Sequence, residues 1–183
     1  YLSLMTAVIF SNKGTLDKYE GDAIVAFWGA PLPQEDHALR ACRAAAKMQE
    51  SLQTLREVWA REGKPTFNVR IGINTGEMIV GNMGGASRFD YTVIGDSVNL
   101  GARLESANKQ YRTGVMISES TYRQVERDII ARELDMLVVV GKTEPIRVYE
   151  LIAMADKDIS PKQRQFVELY TEGLRLHREQ QWT

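Results

Sequence analysis

Two short β-type runs, residues 15–19 and 23–28, are separated only by Glu20-Gly21-Asp22. A chain that reverses direction in so few residues has to form an antiparallel hairpin. Glycine supplies the positive φ such a turn needs, and aspartate is at home beside it. The period then changes. Leu32-Pro33-Gln34-Glu35-Asp36 leads into residues 37–62, where Met48, Leu52, Leu55 and Trp59 recur at spacings of four, three and four. That is one apolar face of a long helix, and Gly63-Lys64-Pro65 ends it. Hairpins and long helices in one chain point to the α+β class.

The remaining segments follow the same rules. Leu2, Met5 and Ile9 recur at helical spacing until Asn12-Lys13-Gly14, as in the second half of a helix whose start lies upstream. Residues 67–74 and 77–82 predict another hairpin turning at Thr75-Gly76, and residues 83–87 a flexible loop. A third β-type run, residues 89–94, feeds directly into a helix that begins near Gly95-Asp96-Ser97 and runs to about Lys109. A short strand at 115–117, a helix over 119–127 capped near Ser118, and two strands at 133–140 and 145–152 complete a sheet expected to carry its helices on one side. Residues 155–161 read as a polar linker. Residues 163–183 read as an amphipathic helix with Phe166, Leu169, Tyr170, Gly173, Leu174, Leu176 and Trp182. Its Gly173, Leu176, Trp182 spacing weakly resembles the first helix of a tetratricopeptide repeat, and a plain C-terminal packing helix fits equally well.

Composition narrows the function classes. With 44% hydrophobic and 26% charged residues in 183, the chain has ordinary globular proportions. A formal net charge of -1 with interspersed signs leaves no basic stripe, which excludes nucleic-acid backbone as the main partner but suits an ATP-sized ligand. The single cysteine, Cys42, excludes an intramolecular disulfide and falls on a helical pattern, as a small core residue in a reducing compartment would. No apolar run approaches the length of a membrane span, so this stretch is expected to be cytoplasmic, with an anchored parent protein left open.

Five residues carry candidate chemistry. Asp22, at the hairpin tip, precedes the buried-type run Ala23-Ile24-Val25-Ala26-Phe27, which would present its carboxylate at a fixed place to a hard cation such as Mg²⁺. Taken alone it is a common turn residue. Lys18 can only donate, so it would satisfy N1 of adenine and oppose the N1–H of guanine. Thr92 can accept from the adenine 6-amino group, but its hydroxyl can also donate, so its discrimination is soft. By themselves these two are an ordinary edge lysine and an ordinary strand threonine. Asn99 and Arg103 lie four apart on one helix face, suited to a ribose oxygen and to a phosphate whose charge grows in a transition state; the plain alternative is a solvated face. Gly81-Asn82-Met83-Gly84-Gly85 lacks the lysine and spacing of a phosphate loop. His37 and His177 have no ligand-spaced partners, and no nucleophilic triad is present.

Four segments resemble class III adenylate/guanylate cyclase catalytic domains of the bacterial type, in family order. They are Lys18-Tyr19-Glu20-Gly21-Asp22-Ala23-Ile24-Val25-Ala26-Phe27-Trp28-Gly29-Ala30-Pro31, Val69-Arg70-Ile71-Gly72-Ile73-Asn74-Thr75-Gly76, the run from Arg88-Phe89-Asp90-Tyr91-Thr92 through Gly95-Asp96-Ser97-Val98-Asn99 to Gly101-Ala102-Arg103-Leu104-Glu105, and Val140-Gly141-Lys142-Thr143-Glu144-Pro145. The resemblance spans residues 1–152, leaving 153–183 as linker and helix. It implies a ferredoxin-like α+β domain, with a mixed or antiparallel sheet, that forms a head-to-tail homodimer and converts ATP to cyclic AMP and pyrophosphate. It further implies two Mg²⁺ or Mn²⁺ ions, with Asp22 matching the second metal aspartate, Lys18 and Thr92 the base-reading pair in its ATP-selecting form, and Asn99 and Arg103 the transition-state pair. Each site would lie across the dimer interface.

Two departures stand out. The family's first metal aspartate belongs on a strand before the opening helix, ahead of Tyr1, so either the protein extends upstream or the 183-residue form is inactive; the first is expected, with a sensor or membrane domain in the parent. Val140 stands where many relatives have a phosphate-contacting lysine, and Lys142 is the candidate substitute. A non-catalytic cyclase-like regulatory module and a guanylate cyclase are the alternative readings.

Overall fold

The computed structural model describes residues 1–85, 88–138 and 145–180. In chain order the elements are α1 (Leu2–Ser11), β1 (Thr15–Glu20), β2 (Ala23–Phe27), α2 (His37–Arg61), β3 (Ile71–Ile73), β4 (Ile79–Gly85), β5 (Arg88–Ile94), α3 (Asp96–Tyr111), β6 (Val115–Ser118), α4 (Glu119–Val125), β7 (Ile129–Leu137), β8 (Ile146–Met154) and α5 (Pro161–Arg178). The architecture is α+β.

The strands form a four-stranded sheet in the order β3-β6-β8-β7 and two separate hairpins, β1-β2 and β4-β5. The four-stranded sheet is mixed, because β3 runs parallel to β6 while β8 is antiparallel to both β6 and β7. All four residues of β6 are buried, without alternation. A strand buried on both faces needs cover on both. Val115 and Ile117 pack with Ala38, Cys42 and Ala45 of α2 and with Val125 of α4, whereas Met116 packs with Leu100 and Leu104 of α3. The expectation of helices on one side is therefore corrected: α2 and α4 cover one face and α3 the other.

The predicted hairpin between residues 67–74 and 77–82 is also corrected. Only Ile71–Ile73 is strand in the first segment, and it pairs with β6; Ile79–Gly85 pairs instead with β5, in the register Ile79↔Ile94 to Gly85↔Arg88. Thr75-Gly76 still turns the chain, but hydrogen bonds to distant elements hold that turn. Asn74 Nδ2 donates to Ser97 O at 2.9 Å, and Ser120 Oγ donates to Thr75 O at 2.7 Å. Tertiary bonds to α3 and α4 thus take the place of a local ladder. Met83, Gly84 and Gly85, read as loop, are the last residues of β4.

The first hairpin is as the turn chemistry requires. Glu20 pairs with Ala23, and of the two residues between them Gly21 has φ +65°. A positive φ at the first central residue, a glycine, and not at the second, Asp22, marks a type II′ turn, whose twist matches that of the flanking strands. Helix α1, in which Met5, Val8 and Ile9 are buried, is tied to this hairpin by a hydrogen bond of 2.8 Å between the Thr6 and Tyr19 hydroxyls, and Trp28 Nε1 donates to Asn12 O at 2.9 Å.

Helix α5 begins with a capping box: Ser160 Oγ accepts from Gln163 N at 3.2 Å, and Gln163 Oε1 accepts from Ser160 N at 3.1 Å. It returns to β7. Tyr170 donates to Leu134 O at 3.2 Å, and the Arg132 guanidinium lies 4.2 Å from the Tyr170 ring centroid and 4.6 Å from that of Phe166. Arg132 Nε also bonds Glu150 at 2.5 Å, so the cation is paired as well as stacked.

Cys42 is fully buried, and that burial pushes its thiol up to about 12. The thiolate is the reactive species. Native protein at pH 8 is therefore expected to show no reaction with a disulfide reagent on the timescale in which denatured protein titrates one thiol, as absorbance of the released chromophore would record. Because the folded value is raised, this group's contribution to stability is complete below the unfolded value near 9 and is lost as pH rises toward 12.

Candidate active site

The candidate residues stand on β1, the tip of the first hairpin, β5 and α3. Thr92 and Lys18 are far apart in sequence, yet both reach one carboxylate, that of Asp17. Thr92 Oγ1 donates to Asp17 Oδ2 at 3.1 Å, and Lys18 Nζ lies 3.7 Å from the same oxygen. The Asp17 side chain is 2% exposed and that of Lys18 46%, so the carboxylate is withdrawn while the ammonium faces out. A bulge explains how neighbouring strand residues share one location. The β1–β2 register passes from Leu16↔Ala26 to Lys18↔Val25, leaving Asp17 as the extra residue. Extra residues of this kind re-aim side chains that strict alternation would send to opposite faces. Across the same junction the Phe27 and Tyr91 rings meet at 6.3 Å, joining the two hairpins.

Strand β5 delivers the chain into α3 without a loop. Gly95, at φ +149°, makes the junction in a conformation that L side chains rarely adopt. Asn99 and Arg103 then stand one turn apart on the exposed face of α3, opposite Leu100, Leu104 and Asn108, which are buried.

The position of that helix is set by glycine. A Cβ on Gly72 would lie 2.2 Å from Gly101 O and 2.3 Å from Glu105 N, so β3 and α3 are in backbone contact. Asn108 ties the same pair together from a fully buried position. Its Nδ2 donates to Ile71 O at 3.0 Å and Leu104 O at 2.9 Å, and its Oδ1 accepts from Thr113 Oγ1 at 2.7 Å.

Asp22 sits exposed at the tip of the β1–β2 hairpin. Its charge reaches Tyr1, whose hydroxyl is raised above its ordinary value first by burial and then by this carboxylate. Among the described residues no group of three or more His, Cys, Asp or Glu side chains could hold a metal ion by itself. One exposed carboxylate still fits Mg²⁺, which keeps much of its water and commonly binds through one or two carboxylates plus substrate phosphates. Lys142 and Val140 lie outside the described residues.

The arrangement therefore brings Lys18 and Thr92 together, places Asn99 and Arg103 on one helix face, and leaves Asp22 on a separate tip. Asp17, Gly72 and Gly101 are the positions sequence reasoning missed. Gly72 and Gly101 both fall inside the motif segments, and a glycine within a strand is a signal of close backbone approach. Asp17 showed only as an acid beside a lysine.

The sequence profile of the adenylate and guanylate cyclase catalytic domain matches residues 4–153. The chain belongs to this family. The cyclase domain is 34% identical over 154 residues to adenylate cyclase 1 of Rhizobium meliloti (strain 1021), covering 84% of this chain and 23% of that protein. Its fold is similar to the crystal structure of the adenylyl cyclase CyaB from P. aeruginosa, with a TM-score of 0.77 and 33% identity over 87% of this chain and 82% of that one. The guanylyl cyclase Cya2 is nearly as similar, with a TM-score of 0.75 and 33% identity over 85% and 78% of the two chains. The domain spans less than a third of the length of the curated relatives it matches. No helix among the described residues is long and apolar enough to cross a membrane.

Proposed function

We propose that this domain is an adenylate cyclase, forming 3′,5′-cyclic AMP and pyrophosphate from ATP at sites shared between two head-to-tail copies. The observation that carries the reading is the convergence of Lys18 and Thr92 on one carboxylate, since it puts a pure donor beside a hydroxyl at one place. Lys18 donates to N1 of adenine and Thr92 accepts from the 6-amino group. Similarity to both adenylyl and guanylyl cyclases means that side chains, not the fold, select the base.

Asn99 orients the ribose, which holds the 3′-oxygen in line with the α-phosphorus. The Arg103 guanidinium neutralises charge that grows on the phosphate oxygens. Asp22 would hold Mg²⁺ or Mn²⁺, whose Lewis acidity would activate the 3′-hydroxyl and offset the triphosphate charge. In the shared-site arrangement the metal carboxylates come from one copy and Lys18, Thr92, Asn99 and Arg103 from the other. The domain would serve as the cytoplasmic output of a longer protein with a sensor or membrane segment.

The test is cyclic nucleotide production with ATP or GTP and Mn²⁺, by the 183-residue chain and by a version extended upstream. Activity in the extended form with ATP preferred is the expected result. Silence from both forms, when folded and dimeric, would favour a regulatory module, and preference for GTP would make it a guanylate cyclase.

A further inference from the structure

We propose that Asp17 is a positioning residue that sets the base preference of this site, by taking the proton of the Thr92 hydroxyl and holding the Lys18 ammonium beside it. The proposal rests on the reading of Lys18 and Thr92 as the base-contacting pair. A threonine hydroxyl carries one proton and two lone pairs, and left to rotate it can serve adenine, whose 6-position donates, or guanine, whose 6-position accepts. An ionised carboxylate has no proton to give. With Thr92 Oγ1 donating to Asp17 Oδ2 at 3.1 Å, the hydroxyl's proton is committed inward and only lone pairs remain for a ligand. The ambiguous hydroxyl becomes an acceptor.

The surroundings make that commitment firm. The Asp17 side chain is 2% exposed, so water has little access with which to replace the Thr92 hydroxyl, and Thr92 itself is 8% exposed. The bulge in β1 places this carboxylate and the Lys18 ammonium 3.7 Å apart, within ion-pair reach but beyond a direct hydrogen bond. Lys18 is thereby held near the threonine with its donors available. Directly across the β4–β5 ladder from Thr92 stands Gly81, where an added Cβ would meet nothing within 4 Å. Opposed residues of a ladder share a face, so the missing side chain leaves room beside the hydroxyl. Asp17 thus turns two separate side chains into one pattern, donor beside acceptor, which complements N1 and the 6-amino group of adenine and opposes both corresponding groups of guanine.

The experiment uses the full-length protein with Mn²⁺ and competes ATP in one tube against purine riboside triphosphate, which lacks only the 6-amino group, and in another against GTP. A ratio of kcat/KM values read by competition does not depend on how much of a variant is folded. Asp17→Ala is expected to lower the preference for ATP over the purine analogue about five- to tenfold, the range of one net hydrogen bond. The isosteric Asp17→Asn, whose amide can both donate and accept, is expected to fall between. Thr92→Val should remove the preference, and adding Asp17→Ala to Thr92→Val should change it no further. If Thr92→Val moves the ratio and Asp17→Ala does not, or if Asp17→Ala moves it equally with and without Thr92, the role given to Asp17 is overturned while the base-reading pair stands. If neither Thr92→Val nor Lys18→Met moves the ATP to GTP ratio, the pair falls and Asp17 with it.

Discussion

Asp22→Ala and Arg103→Ala chains, each nearly inactive alone, are expected to regain about one quarter of the wild-type rate when mixed in equal amounts, since half of random dimers would be mixed and each would hold one intact site of two. Alone, each substitution should lower kcat on the order of 10²–10³-fold, equivalent to ~3–4 kcal/mol of charge stabilisation in the transition state. The recovery follows from placing the metal carboxylate on one copy and the guanidinium on the other. In a mixed dimer one site combines both defects and the other combines two unaltered contributions. Asp22 stands on the tip of the first hairpin and Arg103 on the exposed face of α3, so each substitution alters a different element. The measurement is cyclic AMP formed by the mixture after chain exchange, with mixed dimers verified by a tag on one variant. Stable mixed dimers without recovery would place all the groups of a site on a single copy.

Gly72→Ala is expected to cost about 3 kcal/mol or more and to lower Tm by roughly 6–12 °C, a large effect for a single methyl group. The added carbon would lie 2.2 Å from Gly101 O and 2.3 Å from Glu105 N. Both are backbone atoms of a helix, which cannot rotate aside as a side chain would, so α3 has to move off β3. That displacement stretches the buried Asn108 bonds to Ile71 O and shifts Asn99 and Arg103 together, so activity should fall by more than the loss of folded protein explains. Thermal unfolding and kcat on the folded fraction separate the two effects. Gly173→Ala is the control: Gly173 lies in α5 with nothing within 4 Å of its added carbon, and the change should stabilise the chain by about 0.5–1 kcal/mol. Equal melting temperatures for Gly72→Ala and the parent would show that the helix and strand can separate without cost.

The features legible in the amino-acid sequence are those governed by short-range rules. The tight turn at Gly21, the cap at Ser118, the long apolar face of α2 and the helical i, i+4 placement of Asn99 and Arg103 depend on residues within a few positions of one another. Thr75-Gly76 shows where such rules stop. Its turn chemistry was visible, but the partner of β3 is the distant strand β6, and no local pattern distinguishes a strand awaiting a parallel neighbour from one about to form a hairpin. The burial of both faces of β6 was hidden for a related reason, because four apolar or small residues in a row are compatible with either one covered face or two.

The sequence by itself determined the α+β class, the order of most elements and the residue types offered to a nucleotide, since backbone propensity, turn stereochemistry and side-chain donors and acceptors are properties of local covalent structure. Only the tertiary structure decided that Asp17 joins Lys18 to Thr92 and that Gly72 lets α3 rest on β3. A one-residue bulge and a backbone contact between distant segments arise from how surfaces pack, and packing is settled by the whole chain at once.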